Sequence, residues 1–220
     1  MSRQTTHCDA TNAIFRGLNL RPEVQRKPIF DIPSLQIPPG ITWLGGGEGC
    51  GKTSMLQILA GALASPGSEL QIADYKLSTQ AQAYRQQVAW FDPLVTTMDQ
   101  VPMRDFFKST ADRFAHWDQA LLQRLATAMG LEPHAHKPLY MLSTGTKRKV
   151  WLCAALASGA ALTLLDEPFA ALDKSSIHCV LDFLTEAASH RTRAWVVADY
   201  QAPAGVPLAH TIDLGDSAPS

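Results

Sequence analysis

Eight consecutive residues, Gly46-Gly47-Glu48-Gly49-Cys50-Gly51-Lys52-Thr53, have the spacing G-x-x-x-x-G-K-[ST]. Glycines at 46, 49 and 51 let the backbone turn so that its N–H groups face a polyphosphate. Lys52 supplies a point charge for β- and γ-phosphates, and the Thr53 hydroxyl is placed to hold Mg²⁺. Gly47, Glu48, Cys50 and Ser54 complete the stretch that would line such a ligand. A second cluster lies far downstream, where the apolar run Leu162-Thr163-Leu164-Leu165 ends in Asp166-Glu167-Pro168. A buried parallel strand delivers its C-terminal end to the crevice where ligands bind. Asp166 would then stand near Mg²⁺, and Glu167 would orient, or take a proton from, an attacking water. A third segment, Leu142-Ser143-Thr144-Gly145-Thr146, opens a helix at Lys147. Ser143 reads as a helix N-cap, and Ser143, Thr144 and Gly145 also read as a second phosphate-binding helix start. One nucleotide has no use for two such sites within one chain, but a dimer that sandwiches nucleotide does.

The surrounding elements suit that placement. Ile41–Leu44 reads as a buried strand entering the loop, and 54–60 as a helix leaving it with its positive end toward the phosphates. Strands are expected at 13–15, 29–32, 69–73, 87–91, 162–165, 194–198 and 211–214. Helices are expected at 147–157 and 175–189, with a helical block from Thr97 to Tyr140 carrying Phe106, Phe107, Phe114 and Trp117. Alternating strands and helices predict an α/β P-loop NTPase, with a mainly parallel sheet flanked by helices and a small helical subdomain. The expected organisation is a flexible N-terminus (1–11), one nucleotide-binding domain (12–214) with its helical subdomain near 97–150, and a tail (215–220).

Composition sets the bounds. The 220 residues are 46% hydrophobic and 18% charged, enough for one core, and the net charge is −1. That balance lacks a basic footprint, so no nucleic-acid partner is expected. Cys8, Cys50, Cys153 and Cys179 fit neither a C-x-x-C nor a zinc pattern and read as reduced, cytoplasmic thiols. No leader pattern or bilayer-length apolar run is present in the sequence.

Several residues admit two readings. Cys50 is either a small side chain pointing away from the ligand or a thiol activated by the helix N-terminus. His134 and His136 read as a surface turn rather than a metal pair. Lys147-Arg148-Lys149 reads as a solvated first turn or as charge near the nucleotide. Phe15 and Phe30 read as core before they read as adenine-stacking rings.

Together these segments resemble the ATP-binding subunit of ATP-binding cassette (ABC) transporters, over roughly residues 12–200. The phosphate loop and Asp166-Glu167-Pro168 match that family fully, Ala171-Leu172-Asp173 resembles its Ala-Leu-Asp turn, and 142–146 is similar to its Leu-Ser-Gly-Gly-Gln signature. The resemblance implies ATP and Mg²⁺ held between the loop of one subunit and the signature of another, in a homo- or heterodimer. It also implies a separately encoded membrane-spanning permease, on the inner face of the cell membrane. The chain departs from the pattern at the family's Mg²⁺-contacting glutamine, where Asp92 stands, and at its γ-phosphate histidine, where Ala198 or Asp199 stands. Thr146 replaces the last signature residue. A metal role for Asp92, a catalytic position for Asp199 and reduced turnover are therefore expected. The alternative is a nucleotide-dependent regulatory or assembly ATPase of the same fold that does not transport.

Overall fold

The computed structural model describes residues 13–24, 27–91 and 96–215. The expected flexible N-terminus (1–11), Asp92 and the tail beyond Gly215 lie outside the described residues.

The chain first builds an antiparallel sheet. Strands β1 (Phe15–Leu20), a short hairpin of β2 (Glu23–Val24) and β3 (Lys27–Pro28), and β4 (Ile32–Ile37) precede the central strand β5 (Gly40–Gly45). After helix α1 (Lys52–Leu59) come β6 (Glu69–Ile72), β7 (Tyr75–Lys76), α2 (Ala81–Gln86) and β8 (Val88–Ala89). Strands β4, β1, β6 and β7 form the antiparallel sheet, in that order. The segments expected at 13–15, 29–32 and 69–73 thus contribute to a separate sheet, or border it, and do not join the nucleotide sheet. Strand β1 shows why. Its burial alternates from Phe15 to Leu18, with Phe15 and Gly17 inward and Arg16 and Leu18 exposed, which is the signature of a sheet wet on one face, until Asn19 at φ +54° breaks the period and Leu20 turns inward.

The helical block follows as α3 (Met103–Arg113) and α4 (Gln119–Ala128), two short 3₁₀ turns, and α5 (Thr144–Ala157). Phe106 sits 5.9 Å from Phe91 and 5.8 Å from Phe107 between ring centroids, packing this block onto the core. The chain closes with β9 (Leu162–Asp166), α6 (Lys174–Ala187), β10 (Ala194–Ala198) and β11 (His210–Asp213).

Strands β11, β5, β10, β9 and β8 make an all-parallel sheet in that order. Both faces of this sheet are covered, and β10 shows it residue by residue. Trp195 and Val197 join the core that contains α5 and α6, while Ala194, Val196 and Ala198 join the core that contains α1. The strand expected at 87–91 shortens to Val88–Ala89, because this edge strand pairs with β9 only at Val88↔Leu162 and Ala89↔Thr163. The polar stretch before it forms α2, anchored by the buried Tyr84, whose hydroxyl donates to the Leu59 carbonyl at 2.6 Å.

Register sets the place of the chemistry. Ala198 lies beside both Leu44 and Asp166, so the C-terminal ends of β5, β10 and β9 sit side by side. Each fully buried Val or Leu in these strands contributes about 1.5–3 kcal/mol, against about 1 kcal/mol for one neutral hydrogen bond. The packed sheet therefore fixes where the polar groups stand, and their mutual contacts only refine it.

Candidate functional site

Helix α1 differs at its N-terminus from α5 and α6, the other two helices beside the strand ends. Ser143 caps α5 by accepting from the Thr146 N–H at 3.2 Å, and Asp173 caps α6 by accepting from the Ser176 N–H at 2.8 Å. Helix α1 is preceded by Gly51 and has no side-chain cap, so its first N–H groups are left for a ligand. Gly51 takes φ +100°, and a Cβ there would stand 2.7 Å from the Ile29 side chain, so both conformation and space require glycine. Gly46 is likewise left-handed at φ +144°, with the buried Cys50 sulfur packed against it. That packing supports the reading of Cys50 as a small side chain turned away from the ligand. Gly47 is tied by its N–H to the Gly215 carbonyl at 3.1 Å, while Glu48 and Gly49 are exposed at the tip and Ser54 is half-buried in the first turn.

Lys52 is 7% exposed. Its ammonium donates to the carbonyls of Gly46 at 2.8 Å and Gly47 at 2.9 Å, and the Tyr200 ring centroid lies 4.1 Å from Nζ. The neighbouring Thr53 hydroxyl donates to Asp166 Oδ2 at 2.8 Å, joining α1 to the end of β9. A threonine hydroxyl beside a carboxylate is a hard-oxygen pair of the kind Mg²⁺ takes together with phosphate and water. Among the described residues no group of three or more His, Cys, Asp or Glu side chains could hold a metal by itself. The fit is therefore to an ion that arrives with phosphate. Burial raises the Asp166 pKa and the Glu167 charge adds to the rise, while the Thr53 hydrogen bond opposes it.

Glu167 turns the chain at φ +43°, a left-handed backbone that costs a residue with a side chain about 1–3 kcal/mol. Three contacts hold it there. Its N–H donates to the Ala198 carbonyl at 2.8 Å, its carbonyl accepts from the Ala170 N–H at 3.1 Å, and the same carbonyl accepts from the Arg148 guanidinium, which also reaches the Asp166 carbonyl at 3.4 Å.

At the end of β10, Asp199 is half-buried. Its Oδ1 accepts from the Tyr200 N–H at 2.7 Å, and its carbonyl accepts from Trp43 Nε1 at 3.1 Å. Burial raises the Asp199 pKa, the Tyr200 N–H opposes that, and Glu167 adds to it. The residue that reaches Lys52 is Tyr200. Sequence reasoning missed it because it sought a polar donor at the strand end and passed over the aromatic one position later.

The start of α5 lies against the turn after β9. A Cβ on Gly145 would stand 2.5 Å from the Ala171 carbonyl oxygen, so only glycine allows this approach. Ser143 and Thr144 are exposed, and the Ser143 and Thr146 hydroxyls lie 2.8 Å apart. Of the two readings of Lys147–Lys149, the solvated turn is corrected, while Arg148 lies beside the candidate site as the second reading had it. Lys147 pairs with Asp99, Arg148 holds the Asp166 and Glu167 carbonyls, and Lys149 pairs with Asp173. Three successive helical side chains point in different directions, so each finds its own partner.

Of the remaining candidates, Phe15 and Phe30 are buried in the core. His136 bonds Arg104 at 3.0 Å and His134 is half-buried, both in the turn region after α4.

A P-loop on β5, acidic residues ending β9 and a capped helix start beside the following turn now stand in one architecture. The family model of the ABC transporter matches residues 30–170. The chain belongs to the ABC transporter family. It is 27% identical to the cytochrome c biogenesis ATP-binding export protein CcmA of Pseudomonas fluorescens, over 94% of this chain and 98% of that protein. It is 31% identical to the taurine import ATP-binding protein TauB of Yersinia pestis, over 69% of this chain and 59% of that protein. Among solved structures, an ATP-binding subunit of an ABC transporter superposes with TM-score 0.72 at 19% identity, covering 84% of this chain and 79% of that one. A putative ABC transporter ATP-binding protein from Pyrococcus furiosus gives TM-score 0.71 at 18% identity, covering 91% and 96%. The ABC chain is thus an ATP-binding, ATP-hydrolysing subunit on the α/β P-loop fold expected from its sequence.

Proposed function

We propose that this ABC subunit binds Mg-ATP at its own P-loop, closes on the nucleotide as a dimer with a second cassette, and hydrolyses it slowly to drive a separately encoded membrane permease. The observation that carries the reading is the 2.8 Å contact between Thr53 and Asp166. It joins the phosphate-facing helix to the strand end that bears Glu167.

The chain's own groups divide the work. The uncapped start of α1 and the Lys52 ammonium receive the phosphates. Gly46, Gly47, Glu48, Gly49, Cys50, Gly51 and Ser54 form the wall around them. Thr53 and Asp166 would hold Mg²⁺, which when bound neutralises charge on the β- and γ-phosphates. Glu167 orients a water whose oxygen bonds to the γ-phosphorus as the β–γ bridging bond breaks, and it takes the proton that water releases. Ser143, Thr144 and Gly145 form an exposed helix start suited to the nucleotide of the opposite subunit. Slow turnover follows from Asp199, because an ionised carboxylate only accepts hydrogen bonds and repels the γ-phosphate. Asp92 is assigned to the Mg²⁺ side on sequence grounds alone.

Similarity to an export and an import ATP-binding protein supports a transport role at the inner face of the membrane. Among the described residues no helix is long and apolar enough to cross a membrane.

The test is steady-state ATP hydrolysis by the chain, with Lys52→Ala and Glu167→Gln beside it, and its size in solution with Mg-ATP. Slow turnover lost in both variants, with an ATP-dependent dimer, is expected. Rapid turnover abolished by Glu167→Gln overturns the slow-hydrolysis reading, and a chain that stays monomeric with ATP overturns self-pairing.

A further inference from the structure

The last strand does more than flank β5. Strand β11 pairs with β5 in parallel up to Asp213↔Gly45. The contact then continues into the P-loop. The Leu214 N–H donates to the Gly45 carbonyl at 3.0 Å, and the Gly47 N–H donates to the Gly215 carbonyl at 3.1 Å. The approach is close, since a Cβ on Gly46 would stand 2.9 Å from the Gly215 carbonyl oxygen. Asp213 shapes this contact. Its Oδ1 accepts from the Gly215 N–H at 2.8 Å, a side-chain turn of the Asx kind. Gly215 takes φ +73° there, with no atom within 4 Å of where a Cβ would stand. The turn thus aims the Gly215 carbonyl at Gly47, while Asp213 itself is exposed.

The Gly47 residue has two anchors of different kinds. Its N–H is held by Gly215, and its carbonyl accepts from the Lys52 ammonium at 2.9 Å. Lys52 has three N–H bonds to give, and the carbonyls of Gly46 and Gly47 take two of them. Serving both a β- and a γ-phosphate therefore draws at least one bond away from these carbonyls. The bond from Gly47 to Gly215 makes no use of Lys52 and stays in place.

We infer that Asp213 is a positioning residue for nucleotide binding: by fixing the Gly215 turn it clasps Gly47, and so holds the start of the P-loop in place while Lys52 turns from the loop carbonyls to the phosphates. The inference rests on the P-loop reading proposed above. It adds a residue from the other end of the domain that meets no phosphate itself. The clasp matters most for a triphosphate, because a single β-phosphate can take the third Lys52 N–H and leave both carbonyl bonds made.

The experiment compares Asp213→Ala, Asp213→Asn and Gly215→Ala with the parent chain. Calorimetry gives the Kd of a non-hydrolysable ATP analogue and of ADP, each with Mg²⁺, and thermal melts without nucleotide report folding. Asp213→Ala leaves the Gly215 N–H without its acceptor, so the triphosphate Kd should rise about threefold to tenfold, and the ADP Kd by no more than that. Asp213→Asn keeps an oxygen acceptor and should restore both Kd values to within about twofold of the parent. Gly215→Ala meets no steric obstacle and disturbs the turn only through its left-handed φ, so it should raise the triphosphate Kd in the same direction. An unchanged triphosphate Kd in Asp213→Ala overturns the inference, even where the melting temperature falls, because the turn would then serve folding alone. An equal loss in Asp213→Asn overturns it too, since charge rather than the hydrogen bond would be at work, and so does a larger loss for ADP than for the triphosphate. A parent chain that binds neither nucleotide would instead sink the P-loop reading, and the inference with it.

Discussion

Two adjacent strand ends face the same loop and are built on opposite principles. At the end of β9, the Asp166 carboxylate and the backbone of Asp166 and Glu167 are held by residues distant in sequence. Thr53 holds the Asp166 carboxylate, Arg148 holds two carbonyls, and the Ala198 carbonyl holds the Glu167 N–H. At the end of β10, the Asp199 carboxylate is satisfied by its own neighbour's N–H, and the next residue lies across the loop lysine. The first end is preorganised for charge that arrives with a ligand. The second is held at its backbone by Trp43 and Leu44, but its carboxylate is turned back onto the next residue's N–H. On the function proposed above, the contrast separates binding from turnover: the loop and β9 would receive Mg-ATP, while β10 would face the terminal phosphate.

The largest effect expected from this contrast is at Glu167. Glu167→Gln keeps the shape and hydrogen-bonding reach of the side chain but removes the proton acceptor. ATP turnover should fall about 10²- to 10⁴-fold with nucleotide affinity nearly unchanged. A single-turnover assay checks it. An unaltered rate would mean that β9 holds its carboxylates for binding alone, and the contrast would collapse.

Next comes Arg148, which acts through Glu167. Removing it from Glu167's left-handed backbone frees a partly buried carbonyl and releases the turn. A hydrogen bond to a charged group contributes about 1.5–3 kcal/mol, so Arg148→Met should lower kcat roughly tenfold or more while KM for ATP holds. Arg148→Lys can reach one carbonyl and should recover part of the loss. Equal changes in kcat and KM, or a fall in kcat matched only by lost folded protein, would show packing rather than positioning.

That pairing also marks what a sequence can and cannot show. The parallel strands were legible because burial on both faces writes an apolar run, as at Ala194–Ala198, and the P-loop because its backbone demands glycine at fixed spacing. The capping of α5 by Ser143 is local and was legible for the same reason. Arg148 was not, since its partners lie 18 and 19 residues away and a Lys-Arg-Lys run looks like any solvated turn. Nor was the separate antiparallel sheet, because short strands do not announce which sheet they join. Tyr200 meets Lys52 only after β10 and β5 align in register. Contacts set by register leave no periodic trace.

A smaller effect tests β10. Asp199→Asn removes a negative charge from the face proposed to meet the γ-phosphate while leaving an acceptor for the Tyr200 N–H. A like-charge pair about 4 Å apart and screened as in bulk water contributes about 1 kcal/mol, so triphosphate affinity should rise about fivefold or more. Turnover should rise with it. Weaker binding in Asp199→Asn would mean that the carboxylate serves the site, and the two strand ends would then work alike.

The smallest effect concerns Asp173, in the turn after β9, and uses pH to tell a structural carboxylate from those at the strand ends. Hydrogen bonding from Lys149, then from Ser175 and the Ser176 N–H, pulls the Asp173 pKa below the usual carboxylate range. Its folded value is depressed, so the stability it contributes is complete above the unfolded value of about 3.9 and is lost as pH falls through the folded one. Asp166 and Asp199 are raised, mainly by burial, so their contribution has the opposite sign and declines as pH rises through their folded values. Asp173→Asn keeps an N-cap for α6 but gives up the ion pair with Lys149. Its Tm at neutral pH should drop by about 1–3 °C. Because the parent carboxylate becomes neutral in acid, that gap should begin to close below about pH 4. A gap that persists unchanged through acid would trace the loss to packing around α6. A gap that closes as pH rises, rather than as it falls, would mean that the Asp173 pKa is raised like those of the strand-end carboxylates, and the distinction between a pinned structural acid and a poised site acid would fail at this turn.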